Sequence, residues 1–195
     1  MFKKFIDKYR MLPQIETVRG CPYKCTFCTV GLNEGKLRKH SIEYSMDEVR
    51  YLKEHYPHTV LRIADPNWGM LKKDIELANY IHQLHKEEGY PSSLRVYYSA
   101  GGPWGNIKEM AIAMKELLPL NMSFQSLNKE TLKVIKRGNM PMDTVREMVT
   151  FARANGIASS TELISGLPKE SYDTFRGNFL TAIQLRLDSV YMGAL

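Results

Sequence analysis

Ile15-Glu-Thr-Val-Arg-Gly20-Cys21-Pro-Tyr-Lys-Cys25-Thr-Phe27-Cys28 is the stretch on which the reading of this chain turns. A short strand-like run, residues 14–18, is broken by a glycine and followed at once by all three cysteines of the protein, at positions i, i+4 and i+7. An odd, tightly clustered set of thiols is no disulfide framework. Zinc sites usually show CxxC pairs completed by a fourth Cys or His, whereas His40 lies twelve residues beyond Cys28 in a basic stretch; a zinc-binding module stays only as an alternative. Thiolates at this spacing on a loop after a strand can wrap one [4Fe–4S] cluster and ligate three of its four irons. The fourth iron is then left to a bound molecule.

Working outward, the chain alternates apolar, β-branched or aromatic runs with segments of helical period, the pattern of βα units and a parallel sheet. Six strands are expected, at 14–18, 60–64, 94–99, 121–125, 158–164 and 189–193, each but the last followed by a helical stretch. Ser45-Met-Asp-Glu48 reads as a capping box ahead of Val49 and Leu52, with a stop at Pro57. Ile75, Ala78, Ile81 and Leu84 before Gly89 describe a second helix, and Ile107, Met110, Met114 and Leu117 a third. Asp143 is expected to cap a helix through Val145, Met148, Val149 and Ala152 that ends at Gly156. Most of the 11 methionines fall at helical spacing, which marks them as core filler.

The fold expected is therefore α/β, a partial (β/α)6 TIM-like barrel truncated at or just after the sixth strand. Residues 1–195 read as one domain, incomplete at the C-terminus because the chain ends on an uncovered hydrophobic strand, Tyr191 to Leu195. In such barrels the loops at the C-terminal strand ends build the site, and the motifs lie at such ends.

Composition sets further bounds: 44% hydrophobic and 25% charged residues fit a globular domain. No apolar run approaches a membrane span and the N-terminus lacks the apolar region of a signal peptide, so a cytoplasmic location is expected. The net charge of +6 is uneven, with nine Lys/Arg against three Asp/Glu in residues 1–40 and eighteen of each in the remainder. A solvated face, attraction to an acidic electron donor and attraction to nucleic acid all fit that imbalance.

Cys21-x-x-x-Cys25-x-Phe27-Cys28 resembles the defining motif of the radical S-adenosylmethionine superfamily, including the aromatic before the third cysteine. The resemblance runs along nearly the whole chain. It implies that Cys21, Cys25 and Cys28 ligate a [4Fe–4S] cluster whose open iron is chelated by S-adenosylmethionine, with Phe27 beside that cofactor. Ser123-Phe-Gln125-Ser126 resembles the fourth-strand motif whose Gln bonds the ribose. Ile135-Lys-Arg137 resembles the following helix whose Arg pairs with the cofactor carboxylate. Thr161-Glu162-Leu-Ile-Ser-Gly166-Leu-Pro168 resembles the fifth-strand segment where an acid grips the ribose hydroxyls and a glycine lets backbone approach the adenine. An Arg fork suits a carboxylate and an acid accepts from vicinal hydroxyls, so the residue types agree with those roles.

Where relatives show a Gly-Gly-Glu-type segment after the second strand, this chain reads Ala64-Asp65-Pro66-Asn67-Trp68-Gly69. Asp65 and Asn67 are expected on the cofactor or substrate side, and Trp68 as a possible lid. The third-strand segment Tyr97-Tyr98-Ser99-Ala100-Gly101-Gly102 lacks the Glu of some relatives. The combination looks most like the cobalamin-dependent branch without its cobalamin-binding domain, so cobalamin is implied only through a missing domain or partner. The function expected is reductive cleavage of S-adenosylmethionine to a 5′-deoxyadenosyl radical acting on an unidentified small-molecule or lipid substrate, with a flavodoxin- or ferredoxin-like electron donor. The alternatives are a tRNA-modifying methylthiotransferase-like enzyme, although no RNA motif is visible, and a non-catalytic iron–sulfur protein or fragment.

Overall fold

The computed structural model describes residues 3–9, 11–30 and 36–195. Its elements run α1 (Lys3–Tyr9), β1 (Gln14–Ile15), β2 (Val18–Arg19), β3 (Arg38–Lys39), α2 (Ile42–His55), β4 (Leu61–Ile63), α3 (Lys72–Glu88), β5 (Leu94–Arg95), α4 (Trp104–Ala113), β6 (Leu120–Asn121), α5 (Lys129–Val134), α6 (Met142–Ala154), β7 (Ser159–Ser165), α7 (Tyr172–Gln184) and β8 (Ser189–Ala194). All six expected strands are present. They form two three-stranded parallel sheets, in the orders β1-β4-β5 and β6-β7-β8, with β7 and β8 paired over six positions from Ser160–Ser189 to Ser165–Ala194. Neighbours in each sheet are consecutive βα steps, so the arc is part of an α/β barrel that does not close.

The core lies between these strands and the helices. Val49 and Leu52 of α2, Leu77, Ala78, Ile81 and Leu84 of α3, Ile107 and Met110 of α4, and Val145, Met148 and Val149 of α6 are buried at the helical spacing read from the sequence. Met110, Met114, Met122, Met140 and Met148 are buried, as expected of filler residues. Trp68 is fully buried and stacks on Tyr98 with ring centroids 6.1 Å apart, so it is core rather than a lid.

Two caps differ from expectation. Helix α2 starts one turn earlier than the Ser45 box, because Ser41 takes the extended N-cap conformation and its Oγ accepts from Tyr44 N–H at 3.2 Å. Ser45 lies buried inside the first turn, its hydroxyl donating to Ser41 O at 2.9 Å. Likewise Pro141 is the N-cap of α6 and Asp143 falls within the first turn, where its charge still favours the helix N-terminus. Gly89 closes α3 in the left-handed conformation, φ 69°, as its position predicts.

The antiparallel ribbon β2–β3 has no counterpart among the expected strands. It arises where the expected strand 14–18 breaks in two: β1 continues the barrel while Val18-Arg19 turns out to pair with Arg38-Lys39. Among the described residues no helix is long and apolar enough to cross a membrane.

Candidate functional site

The cysteine loop leaves β2 through Gly20, which adopts φ 96°, a conformation few other residues tolerate. Cys21 and Cys25 are buried and Cys28 is half-buried. Cys28 N–H donates to Cys25 O at 3.1 Å, which folds the second half of the loop into a turn. Thr26 N–H donates to Ile135 O at 3.0 Å, tying the loop to the C-cap of α5, where Ile135 is fully buried. On the other side the Tyr23 ring packs onto Gly101 in the loop after β5, so closely that a side chain at residue 101 would occupy its place.

Helix α5 ends in a Schellman motif. Lys136 is left-handed at φ 51°, its N–H donates to Lys133 O at 3.3 Å, and Arg137 N–H donates to Leu132 O at 3.0 Å. Arg137 therefore stands just past the helix rather than on it, and the reversal turns it back toward the cysteine loop. Its Nε donates to Asn139 Oδ1 at 3.1 Å, its Nη2 to Ser123 O, and its Nη1 lies 3.9 Å from Cys25 Sγ. Asn139 is itself fixed by donating to Phe124 O at 2.9 Å and Ser126 O at 2.6 Å.

At the C-terminal end of β6 the backbone is strained. Ser126 N–H donates to Phe124 O at 2.8 Å across Gln125, which holds φ 63°, the geometry of a rare three-residue turn. The ladder to β7 survives on both sides, through Gln125 N–H to Glu162 O at 2.8 Å and Ile164 N–H to Gln125 O at 2.9 Å. The turn brings the Gln125 side chain to Glu162, its Nε2 donating to Oε2 at 3.3 Å, and Ser123 Oγ lies 3.1 Å from the same oxygen, its one proton shared between that carboxylate and Asn121 Oδ1. Cys25, Arg137, Ser123, Glu162 and Gln125 thus form one continuous polar chain at the strand ends, although Cys25 and Arg137 are 112 residues apart in sequence.

Phe27 is half-buried beside Cys28 and, like Gly166, lies outside that chain among the described contacts. Gly166 has φ 84°, and a Cβ there would meet only Leu195 at 3.9 Å, so glycine is required by the backbone angle rather than by lack of room. The loop after β4 divides in function. Asn67 Nδ2 donates to Cys21 Sγ at 3.0 Å, which places it on the cysteine side. Asp65, expected near a ligand, is instead consumed by structure: its Oδ1 accepts Thr17 N–H at 2.7 Å and its Oδ2 accepts the Thr17 hydroxyl. Burial pushes the Asp65 carboxyl above the usual carboxylate range, and the Thr17 hydrogen bonds pull it partly back.

Sequence reasoning missed Ser123 and Asn139 as individual contributors, along with the packing of Tyr23 on Gly101. Ser123 lies inside a quoted motif, but nothing in Arg137-Gly-Asn139 signals that the amide will lock the guanidinium.

Among the described residues no three His, Cys, Asp or Glu side chains converge on one point as they would about a single ion. An iron–sulfur cluster makes no such demand, because each cysteine takes its own iron. The donor set fits a cluster on its chemistry: three thiols on one loop, two of them buried, with an amide N–H aimed at one sulfur and a guanidinium facing another.

Comparison with known proteins decides the family, because the Radical SAM superfamily profile matches residues 15–179. The chain belongs to the radical SAM superfamily. Membership implies a [4Fe–4S] cluster and S-adenosylmethionine as cofactors. Over 165 residues it is 32% identical to the cobalamin-dependent radical SAM methyltransferase TokK of Streptomyces tokunonensis, covering 83% of this chain and 24% of that protein. It is 30% identical, with the same coverage, to the 2-(S-pantetheinyl)-carbapenam-3-carboxylate methyltransferase of Streptantibioticus cattleyicolor. The chain thus spans about a quarter of the length of these radical SAM relatives. In fold it is similar to the radical S-adenosylmethionine methyltransferase TsrM of Kitasatospora setae, solved with cobalamin and a [4Fe–4S] cluster bound. That match has a TM-score of 0.77 at 17% identity and covers 97% of this chain and 35% of TsrM.

Proposed function

We propose that the chain is the core of a radical S-adenosylmethionine enzyme in which Cys21, Cys25 and Cys28 hold the cluster and the polar chain at the ends of β6 and β7 holds the cofactor. The observation that carries this reading is the meeting of Arg137 with Cys25, Ser123 and, through Ser123, Glu162. A carboxylate-binding fork and a hydroxyl-binding acid would otherwise have no reason to share one contact path with a cysteine loop. When bound, the reduced cluster and S-adenosylmethionine supply reductive cleavage of the sulfonium to a 5′-deoxyadenosyl radical that abstracts hydrogen from the substrate.

The chain's own residues bind and orient. Arg137 has two of its nitrogens engaged by Ser123 O and Asn139, so its fork is presented to the cofactor carboxylate already ordered, which lowers the entropy lost on binding. Glu162 Oε2 is held by Ser123 and Gln125, which aims the carboxylate at the ribose hydroxyls, and Gln125 bonds the same sugar. Gly166 keeps the β7 exit in a conformation that lets backbone lie against the adenine. Asn67 and Arg137 present N–H groups to two cysteine sulfurs and so stabilise their thiolate charge.

The named relatives favour methyl transfer as the overall reaction; the small-molecule or lipid substrate is the reading of the sequence alone, and no residue of this chain is assigned to cobalamin. Three free thiols fit a reducing, cytoplasmic compartment. The test is anaerobic reconstitution with iron and sulfide, reduction with dithionite and addition of S-adenosylmethionine, followed by chromatography for 5′-deoxyadenosine. Its formation is expected. A stable cluster that cleaves nothing would instead mark a non-catalytic iron–sulfur protein.

A further inference from the structure

The inner face of the arc is polar, whereas the interior of a closed α/β barrel is ordinarily filled by branched apolar side chains. Along β4, β5 and the residues that continue β5, Leu61, Ile63, Leu94, Val96 and Tyr98 are buried in the core against the helices. Successive side chains of a strand alternate between its faces, so Arg62, Arg95 and Tyr97 stand on the helix-free face, and all three are exposed. In the second sheet Leu120, Met122 and Leu163 fill the core while Asn121, Ser123, Ser160 and Glu162 share the opposite face, Asn121 Nδ2 donating to Ser160 Oγ at 3.1 Å. The acid assigned to the ribose thus lies on the face that carries the two arginines.

Arg62 and Arg95 are neighbours there. Arg62 is the register partner of Arg95 on one side and of the exposed Gln14 on the other. Adjacent strands lie about 4.8 Å apart, so the two side chains start from touching positions. Like charges side by side on paired strands repel one another, and among the described residues neither guanidinium has a hydrogen bond or ion pair to offset that cost. Arg137 is the contrasting case, with two of its nitrogens engaged by Asn139 and Ser123 O.

We propose that Arg62 and Arg95 form a subsite for an oxyanion of the substrate, a carboxylate or phosphate group, on the inner face of the arc; this rests on the reading of the strand ends as the cofactor site. Each guanidinium offers parallel N–H donors to two oxygens, and a bound anion also neutralises the repulsion within the pair. Five residues separate Arg62 from Asn67, which donates to Cys21 Sγ, so the pair lies at most about 18 Å of extended chain from the cysteine loop. A small molecule anchored there by its anion extends along the strands toward their C-terminal ends, where the radical would form. Tyr97, two residues past Arg95 on the same face, offers that molecule a ring and a hydroxyl. The carboxylate of S-adenosylmethionine falls to Arg137, which alone of these three arginines reaches a cysteine sulfur among the described contacts.

The probes are phenyl phosphate and benzoate, with uncharged benzamide as the control, titrated by calorimetry into the full chain as purified and after reconstitution. Saturable binding of an anionic probe and none of benzamide is expected, the tighter anion telling a phosphate subsite from a carboxylate one. R62A/R95A should weaken that binding by roughly tenfold or more, and each single alanine substitution by less. R62K/R95K keeps the charge but loses the fork, and its affinity should fall between wild type and R62A/R95A. Binding of S-adenosylmethionine to the reconstituted variants should stay within about twofold of wild type, as for separate sites. Thermal unfolding of R62A/R95A should match or exceed the wild type, because the repulsion between neighbouring arginines is relieved. Anion binding unchanged in R62A/R95A, or absent from the wild type at millimolar concentration, would overturn the proposal. So would a loss of S-adenosylmethionine affinity as large as the loss for the anion, which would give the pair to the cofactor. A wild type that binds the anion but forms no 5′-deoxyadenosine with dithionite would instead count against the radical reading and leave the subsite standing.

Discussion

Replacing Gly101 by alanine should loosen the cysteine loop through a single contact. An ideal Cβ at that position falls 1.8 Å from Tyr23 Oη, 2.5 Å from Cζ and 3.0 Å from Cε1, where ordinary contact begins near 3.4 Å. The ring must therefore retreat by about 1.6 Å or leave its seat. Gly101 does not have a positive φ, so alanine there carries no backbone strain and the whole penalty is steric. Displacing the half-buried tyrosine should cost about 1–2 kcal/mol, the worth of its packed surface. A double-mutant cycle isolates the term: with Tyr23→Ala in place, Gly101→Ala should become neutral or stabilise by up to about 1 kcal/mol. Urea unfolding of the metal-free protein measures the energies, and iron bound per chain after reconstitution reports on the loop, with Gly101→Ala expected to hold less. An equal penalty with tyrosine or alanine at position 23 would refute the argument.

Other perturbations follow from the same geometry. Arg137→Ala should weaken S-adenosylmethionine binding by about 1.5–3 kcal/mol, or roughly 10- to 150-fold, as equilibrium binding to the reconstituted protein would show. Thr17→Val removes the hydroxyl donor to buried Asp65 and should destabilise the fold by about 1.5–3 kcal/mol at neutral pH. Burial raises the folded Asp65 carboxyl above its unfolded value of 3.8, so the charged form is disfavoured above that pH. The Thr17→Val penalty should accordingly shrink in acid, once Asp65 is protonated, as urea midpoints across the pH range would show. Asp188 behaves oppositely: hydrogen bonds from Ser159 N–H at 2.7 Å and Ser159 Oγ at 2.9 Å lower its carboxyl below 3.8. Its stabilisation is present above pH 3.8 and lost as the pH falls through the folded value, so Asp188→Asn should be less stable than wild type at neutral pH and converge with it in strong acid.

The strands and the core helix faces were legible because burial imposes a period, and Leu77, Ala78, Ile81 and Leu84 show it without ambiguity. The β2–β3 ribbon was not, since Arg38-Lys39 has neither alternation nor β-branching, and the contacts beside its pairing, Lys73 to Thr17 O and His40 O and His40 N–H to Thr17 O, come from residues distant in sequence. The Ser45 reading starts α2 one turn late; the extra turn begins at Ser41, whose Oγ accepts from Tyr44 N–H, and it adds Ile42 and Met46 to the residues packed on the core. At the strand ends, Gln125, Arg137 and Glu162 were expected together from their order behind the cysteines, and they lie on one contact path with Cys25 and Ser123. Asp65 shows the limit of that reasoning: an acid at a strand end looks like a ligand until a buried threonine, 48 residues away, claims both of its oxygens. Asn67, two residues on, took the role facing the cysteines.

The most direct test of the central claim is the electron paramagnetic resonance of the dithionite-reduced, reconstituted protein recorded without and with S-adenosylmethionine. A cluster held by three cysteines beside the Arg137–Glu162 chain should show a signal that shifts on adding the cofactor, with the shift diminished in Arg137→Ala. A cluster signal indifferent to S-adenosylmethionine would contradict the account, leaving the loop an iron–sulfur site without the cofactor site built next to it.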